Sequence, residues 1–194
     1  MNPNEFKEGF FMDMVEKAII FAAKSHYNQK RKGTDIPYIT HPFAVGMLLQ
    51  KEKCSDEVIA AGILHDTLED TETTFKDLTE AFGVHVANLV LAASENDKSL
   101  PWEVRKQHTI DMLKDASLEE IQVIVADKYH NLISIQNDLQ FYGDVIWKRF
   151  NRGKRDQHWY YASIVKALSP RKKEFKVIDE LEEVVKEVFG SLEI

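Results

Sequence analysis

Apolar residues in this chain recur at spacings of three and four almost from end to end, and this period limits the folds open to it more than any other feature. From Phe10 to about Lys32 they fall at Phe11, Met14, Val15, Ala18, Ile19 and Ala22, the stripe of an amphipathic helix closed by Gly33. No stretch shows sustained period-two alternation bounded by turn signals, and eight glycines with five prolines are too few for a turn-rich β fold. The expected class is all-α.

Local signals mark the remaining helices. Thr40-His41-Pro42 reads as a helix start with proline pre-set for the first turn, leading through Phe43 to Leu49. Ser55 caps a very apolar helix through Val58, Ile59, Ile63 and Leu64 that runs straight into His65-Asp66. Thr74 with Asp77, and Ser117 with Glu120, are capping-box patterns. The first opens a helix that stops near Gly83 before helical spacing resumes at Val86, Leu89, Val90 and Ala93. The second opens a long buried helix through Ile121, Ile124, Val125, Leu132 and Ile135. Ser94 to Lys98 is a polar loop, and Pro101 opens a charged surface helix. Gly143, Gly153 and Pro170 divide the remainder into three further helices, the last running from Glu174 to Phe189.

At 194 residues the expectation is one domain over 1–194, with a core at about 10–168 and C-terminal helices 169–194 packed on it. A net charge of −7 gives no long-range attraction to nucleic acid or an anionic membrane, so any phosphate binding must be local. The single cysteine, Cys54, allows neither an intramolecular disulfide nor a cysteine-based zinc site. With no spanning run and no signal-peptide layout, the expected location is cytoplasmic. The oligomeric state stays open.

Ile63-Leu64-His65-Asp66-Thr67-Leu68-Glu69-Asp70 places one histidine and three carboxylates at the end of an apolar helix. If that helix continues, Glu69 lies four residues from His65 and Asp70 four from Asp66. Carboxylates crowded in a partly dry site repel unless a cation compensates them. Asp127 follows the apolar run Val123-Ile124-Val125-Ala126, with Asn131 one turn on. Together with His41 these make a set of two imidazoles and two carboxylates, suited to Mn²⁺, Fe²⁺ or Zn²⁺. Each piece also has a plainer account: His41 as a helix cap before proline, Asp127 as half of a buried salt bridge, Glu69-Asp70 as a solvated helix end.

His41, His65-Asp66 and Asp127 resemble the metal motif of HD-domain phosphohydrolases, specifically the RelA/SpoT hydrolase domain. The segments Gln29-Lys30-Arg31-Lys32-Gly33, Pro37-Tyr38-Ile39-Thr40-His41-Pro42 and Phe82-Gly83 extend the likeness to the stand-alone small alarmone hydrolases. So do Asp97-Lys98-Ser99-Leu100-Pro101 with Arg105-Lys106, and Ala126-Asp127-Lys128 with Asn131-Leu132. The resemblance implies a compact HD-domain bundle with the metal site between central helices. It implies one Mn²⁺ held by His41, His65, Asp66 and Asp127, and a catalytic pair in Glu69 and Asp70. The implied reaction removes the 3′-pyrophosphate of ppGpp or pppGpp to give GDP or GTP.

A polyphosphate substrate needs local cations. Arg31 and Lys32 precede the His41 loop, Lys128 follows Asp127, and Lys98, Arg105 and Lys106 match family positions near the phosphates, though a solvated charged helix accounts for the last three equally well. The resemblance also implies that Arg31 and Asn131 meet the nucleoside; arginine suits stacking and forked phosphate contacts alike. One departure is Ile133, where many relatives carry an arginine soon after the Asn-Leu pair. It keeps open an HD phosphohydrolase acting on a nucleoside monophosphate or NADPH. A non-catalytic nucleotide-sensing module is the rival from another class. A second basic cluster, Lys148, Arg149, Arg152, Lys154 and Arg155, followed by Trp159-Tyr160-Tyr161, reads as a helical surface with core aromatics or as a pocket rim. His26, His85, His108, His130 and His158 have no ligand-like context. The length leaves no room for the synthetase domain of longer relatives, so the expected activity is hydrolysis alone.

Overall fold

The computed structural model describes residues 13–95 and 98–191. The expected contributions of Phe10 and Phe11 to the first helix, and of Asp97 to the polar loop, lie outside the described residues. The architecture is all-α: α1 (Met14–Ser25), α2 (Thr40–Lys51), α3 (Asp56–Leu64), α4 (Thr67–Asp70), α5 (Phe75–Ala93), α6 (Trp102–Met112), α7 (Leu118–Tyr142), α8 (Lys154–Leu168) and α9 (Val177–Phe189). Short 3₁₀ turns at Gly143–Arg149 and Ser169–Arg171 join the last elements. Among the described residues β pairing is confined to one isolated bridge, Lys30 with Pro37.

Every residue of α3 from Val58 to Leu64 is buried, which makes this short helix the axis of the bundle. It packs against α1, α2, α5 and α7, while α9 lies on α7 and α8. Ser55, Thr74 and Ser117 accept from the backbone N–H three residues on, and the last two complete reciprocal capping boxes, as their spacing predicts. Gly83 adopts φ 85° and ψ 160° inside α5, so the expected interruption is a kink that a side chain would strain.

Two boundaries differ from the sequence reading. The first helix ends at Ser25 rather than near Lys32, because the apolar stripe stops at Ala22; His26 then turns inward against Tyr38 and Gln29. The helix of α3 does not continue to Asp70. The Thr67 hydroxyl donates to Leu64 O (2.7 Å) and His65 Nδ1 bonds Gly62 O (2.7 Å), so side chains take carbonyls that the next turn's amides would otherwise use. The chain restarts as the single turn α4. Of the three helices expected after Gly143, the first is the 3₁₀ turn.

Close approach of α2 to α3 brings the two histidines of the motif together, and two glycines allow it. A Cβ at Gly46 would sit 2.4 Å from Ile63 Cγ1, and one at Gly62 would sit 2.3 Å from Leu49 Cδ1. Ile63 and Leu49 are fully buried. Either Gly46→Ala or Gly62→Ala is therefore expected to lower the midpoint of thermal unfolding. Overpacking costs about 1–3 kcal/mol, more than the roughly 1 kcal/mol that alanine gains over glycine inside a helix. An unchanged or raised midpoint in both variants would show that the interface has slack.

Candidate metal centre and nucleotide cavity

Three elements converge on one point. His41 comes from the first turn of α2, His65 and Asp66 from the break after α3, and Asp127 from the middle of α7. His41, His65 and Asp127 are almost fully buried, at 1%, 2% and 6% exposed. His41 Nε2 lies 3.2 Å from His65 Nε2, 3.1 Å from Asp127 Oδ1 and 3.6 Å from Asp66 Oδ2. His65 Nε2 lies 3.0 Å from Asp66 Oδ2 and 3.4 Å from Asp127 Oδ1. Neighbouring donors on a divalent ion, each about 2.0–2.2 Å from it, are separated by roughly 3.0–3.5 Å. The residues therefore fit a cation at their centre, and the buried Asp127 beside the half-buried Asp66 calls for one.

The electrostatics agree. Burial pushes His41 below its ordinary value. Burial acts on His65 in the same direction, but Asp66 and Asp127 outweigh it and hold that imidazole well above its ordinary value. Burial would raise Asp127, yet Lys128 and the two histidines keep its carboxyl well below the usual range. Asp66 is likewise held low, burial being overcome by His65. The cluster thus favours positive charge at its centre.

A cavity of about 590 Å³ lies beside this cluster, a size that suits a nucleotide, and residues that contact the cluster form part of its wall. Four of its lining side chains reach the cluster itself. Tyr38 donates to Asp66 Oδ2 (2.6 Å), Asn131 Nδ2 to Asp127 Oδ1 (2.6 Å) and Lys128 Nζ to Asp127 Oδ2 (2.7 Å). His130 Nδ1 lies 2.7 Å from His41 Nδ1. Arg31, Lys32, Lys106 and Arg149 add cations to the wall, and Tyr160 and Tyr161 close it. Arg31 Nη2 donates to Asn131 Oδ1 (3.3 Å) and its guanidinium lies 5.7 Å from the centre of the Tyr38 ring.

The remaining residues singled out by sequence fall on the flanks. Glu69 is less exposed than Asp70, and burial together with Asp70 raises its carboxyl above its ordinary value while Lys98 opposes them. Lys98 Nζ donates to Asp70 Oδ1 (2.9 Å) and to Glu69 O (3.0 Å), so it serves this pair and does not line the cavity. Arg105 pairs with Glu95 and lines a separate space of about 220 Å³ between α5 and α6. Lys106 also pairs with Glu95, and burial lowers its pKa. Ile133 packs against the core, so the departure from the family pattern lies off the cavity wall. Of the second basic cluster, Arg149 alone reaches the cavity, where it also meets Asp138 (2.7 Å).

Sequence reasoning passed over Glu95 and His130. Glu95 holds Arg105 and Lys106 and gives its backbone N–H to Glu69 Oε2 (3.2 Å). His130 had one available signal: three residues beyond Asp127, it shares that residue's face of α7.

Comparison with known proteins gives this arrangement a context. The family model described as HD domain matches residues 18–147. A zebrafish (Danio rerio) protein named guanosine-3′,5′-bis(diphosphate) 3′-pyrophosphohydrolase MESH1 is 41% identical over 119 residues, covering 60% of this chain and 66% of that protein. The Drosophila melanogaster protein of the same name is 35% identical over 158 residues, 80% of this chain and 82% of its own. Among solved structures, a metazoan ortholog of SpoT described as hydrolysing ppGpp superposes with a TM-score of 0.74 at 27% identity, covering 93% of this chain and 98% of that one. Among the described residues no helix is long and apolar enough to cross a membrane.

Proposed function

This chain belongs to the HD-domain family, and we propose on that premise that it is a metal-dependent hydrolase removing the 3′-pyrophosphate of ppGpp or pppGpp. The observation that carries the reading is the contact of four cavity-lining side chains with the buried His41, His65 and Asp127 and the half-buried Asp66 beside them. A nucleotide in the cavity is thereby set against a cation site. His41, His65, Asp66 and Asp127 would hold the ion, and Mn²⁺ suits their mixed nitrogen and oxygen donors. When bound, such an ion supplies Lewis acidity that polarises a phosphoryl oxygen and makes water a better nucleophile.

The protein's own groups do the rest. Arg31, Lys32, Lys106, Lys128 and Arg149 offset the charge of the phosphates where the chain's net charge of −7 would repel them. Arg31 and Asn131, which lie together on the cavity wall, would meet the nucleoside, Arg31 with a planar face for a base. Glu69 takes a proton from the attacking water as its oxygen bonds to the phosphorus next to the ribose 3′-oxygen. That oxygen leaves with the GDP or GTP and gains a proton, while pyrophosphate departs.

The test is product analysis with Mn²⁺-loaded protein offered ppGpp, pppGpp, NADPH and a nucleoside monophosphate. Pyrophosphate and GDP from ppGpp are expected. Orthophosphate from NADPH or the monophosphate, with ppGpp untouched, would assign the other nucleotide chemistry. Tight binding of ppGpp without turnover would mark a sensor. Arg31→Ala should raise KM for ppGpp roughly 10- to 100-fold, the worth of a hydrogen bond to a charged group, with metal content unchanged. An unaltered KM would remove Arg31 from the substrate's contacts. Lys128→Ala is a less clean probe, because Lys128 also holds Asp127.

A further inference from the structure

We propose that Tyr38 and His130 are positioning residues that fix the donor geometry of the proposed ligands Asp66 and His41 from the wall of the nucleotide cavity. This rests on the reading of the cluster as a cation site. His41 turns Nε2 into the cluster, so that nitrogen must be bare to bind an ion, and the ring proton then sits on Nδ1. Nδ1 lies 2.7 Å from His130 Nδ1, and the two rings are 4.8 Å apart, tilted by 36°. His130 Nδ1 is thus the acceptor, and His130 keeps its own proton on Nε2. His41 is 1% exposed, so loss of that acceptor strands a buried N–H or lets the ring turn and present the wrong nitrogen.

Tyr38 does the corresponding work on the other side. Its hydroxyl donates at 2.6 Å to Asp66 Oδ2, the oxygen that also lies 3.0 Å from His65 Nε2. The bond fixes the carboxylate plane. The Tyr38 ring is itself held between the His26 ring, 5.0 Å away, and the Arg31 guanidinium. Both positioning groups line the cavity, so a bound nucleotide would touch the residues that aim the ligands.

The test is Mn²⁺ affinity, followed by the loss of the free-ion electron paramagnetic resonance signal, for wild type, Tyr38→Phe, His130→Leu and His130→Asn. Partners of metal ligands are typically worth 10- to 100-fold in affinity, so Tyr38→Phe and His130→Leu should each bind Mn²⁺ weaker by about that factor. Tyr38→Phe keeps the ring and its packing, so a change there reports the hydroxyl alone. In His130→Asn the amide oxygen stands where Nδ1 stood and can accept from His41, so affinity should return close to wild type. Wild-type affinity in both Tyr38→Phe and His130→Leu would overturn the inference, as would equal weakening in His130→Leu and His130→Asn. A wild-type protein that takes up no Mn²⁺, Fe²⁺ or Zn²⁺ would instead overturn the cation-site reading.

Discussion

His65→Ala and Asp127→Ala are each expected to leave the protein without its divalent ion and without measurable hydrolysis of ppGpp. His65 Nε2 is 3.0 Å from Asp66 Oδ2 and 3.4 Å from Asp127 Oδ1, so its removal takes out the donor that stands between the two carboxylates. The remaining acidic pair repels across a largely buried site. Asp127 is tied still more tightly, accepting from Asn131 and Lys128. Burial alone would lower Lys128, and Asp127 is what holds its ammonium charged, well above the usual value. Truncating Asp127 strands that ammonium, and breaking such a buried pair costs about 3–5 kcal/mol. Asp127→Ala should therefore also unfold at a lower denaturant concentration, with Asp127→Asn falling between. Elemental analysis and pyrophosphate release read the two losses. Full metal occupancy in either alanine variant would end the ligand assignment.

Much of this site was visible in sequence because polar residues inside apolar runs are costly and conspicuous: His65-Asp66 after Ala60-Ala61-Gly62-Ile63-Leu64, and Asp127 after Val123-Ile124-Val125-Ala126. Helix starts were legible for a similar reason. The caps at Ser55, Thr74 and Ser117 are local chemistry complete within four residues. What was not legible depends on distance in space. His130 gains its meaning from a residue 89 positions earlier, and Glu95 from the hydrogen bond its backbone N–H donates to Glu69 and from two cations of the following helix. The break between α3 and α4 carries no glycine or proline inside it, because His65 and Thr67 make it by taking carbonyls of α3. Gly46 and Gly62 look like weak points in helices until the opposing helix is in place. Each then permits the approach that sets His41 beside His65.

Glu69→Gln is expected to lower kcat by about 10²- to 10⁴-fold, the usual worth of a general base, while Mn²⁺ content and KM stay close to wild type. The amide keeps the side chain's shape and its bond from the Glu95 N–H, and loses only the basic oxygen. Asp70→Asn should cost less, because Asp70 acts on Glu69 through charge and through the shared Lys98. The pH profile separates these roles. Burial and then Asp70 raise Glu69 above its ordinary value of 4.5, while Lys98 pulls it down. A base must be ionised to work, so kcat/KM falls as pH drops through the Glu69 pKa, and this acid limb lies above pH 4.5 in the wild type. Removing the Asp70 charge in Asp70→Asn should slide the limb toward lower pH, and removing the ammonium in Lys98→Met should slide it higher. Because the two variants move the limb in opposite directions, general loss of structure cannot imitate the result. Wild-type turnover in Glu69→Gln, or an acid limb unmoved by both neighbours, would take the proton transfer away from Glu69.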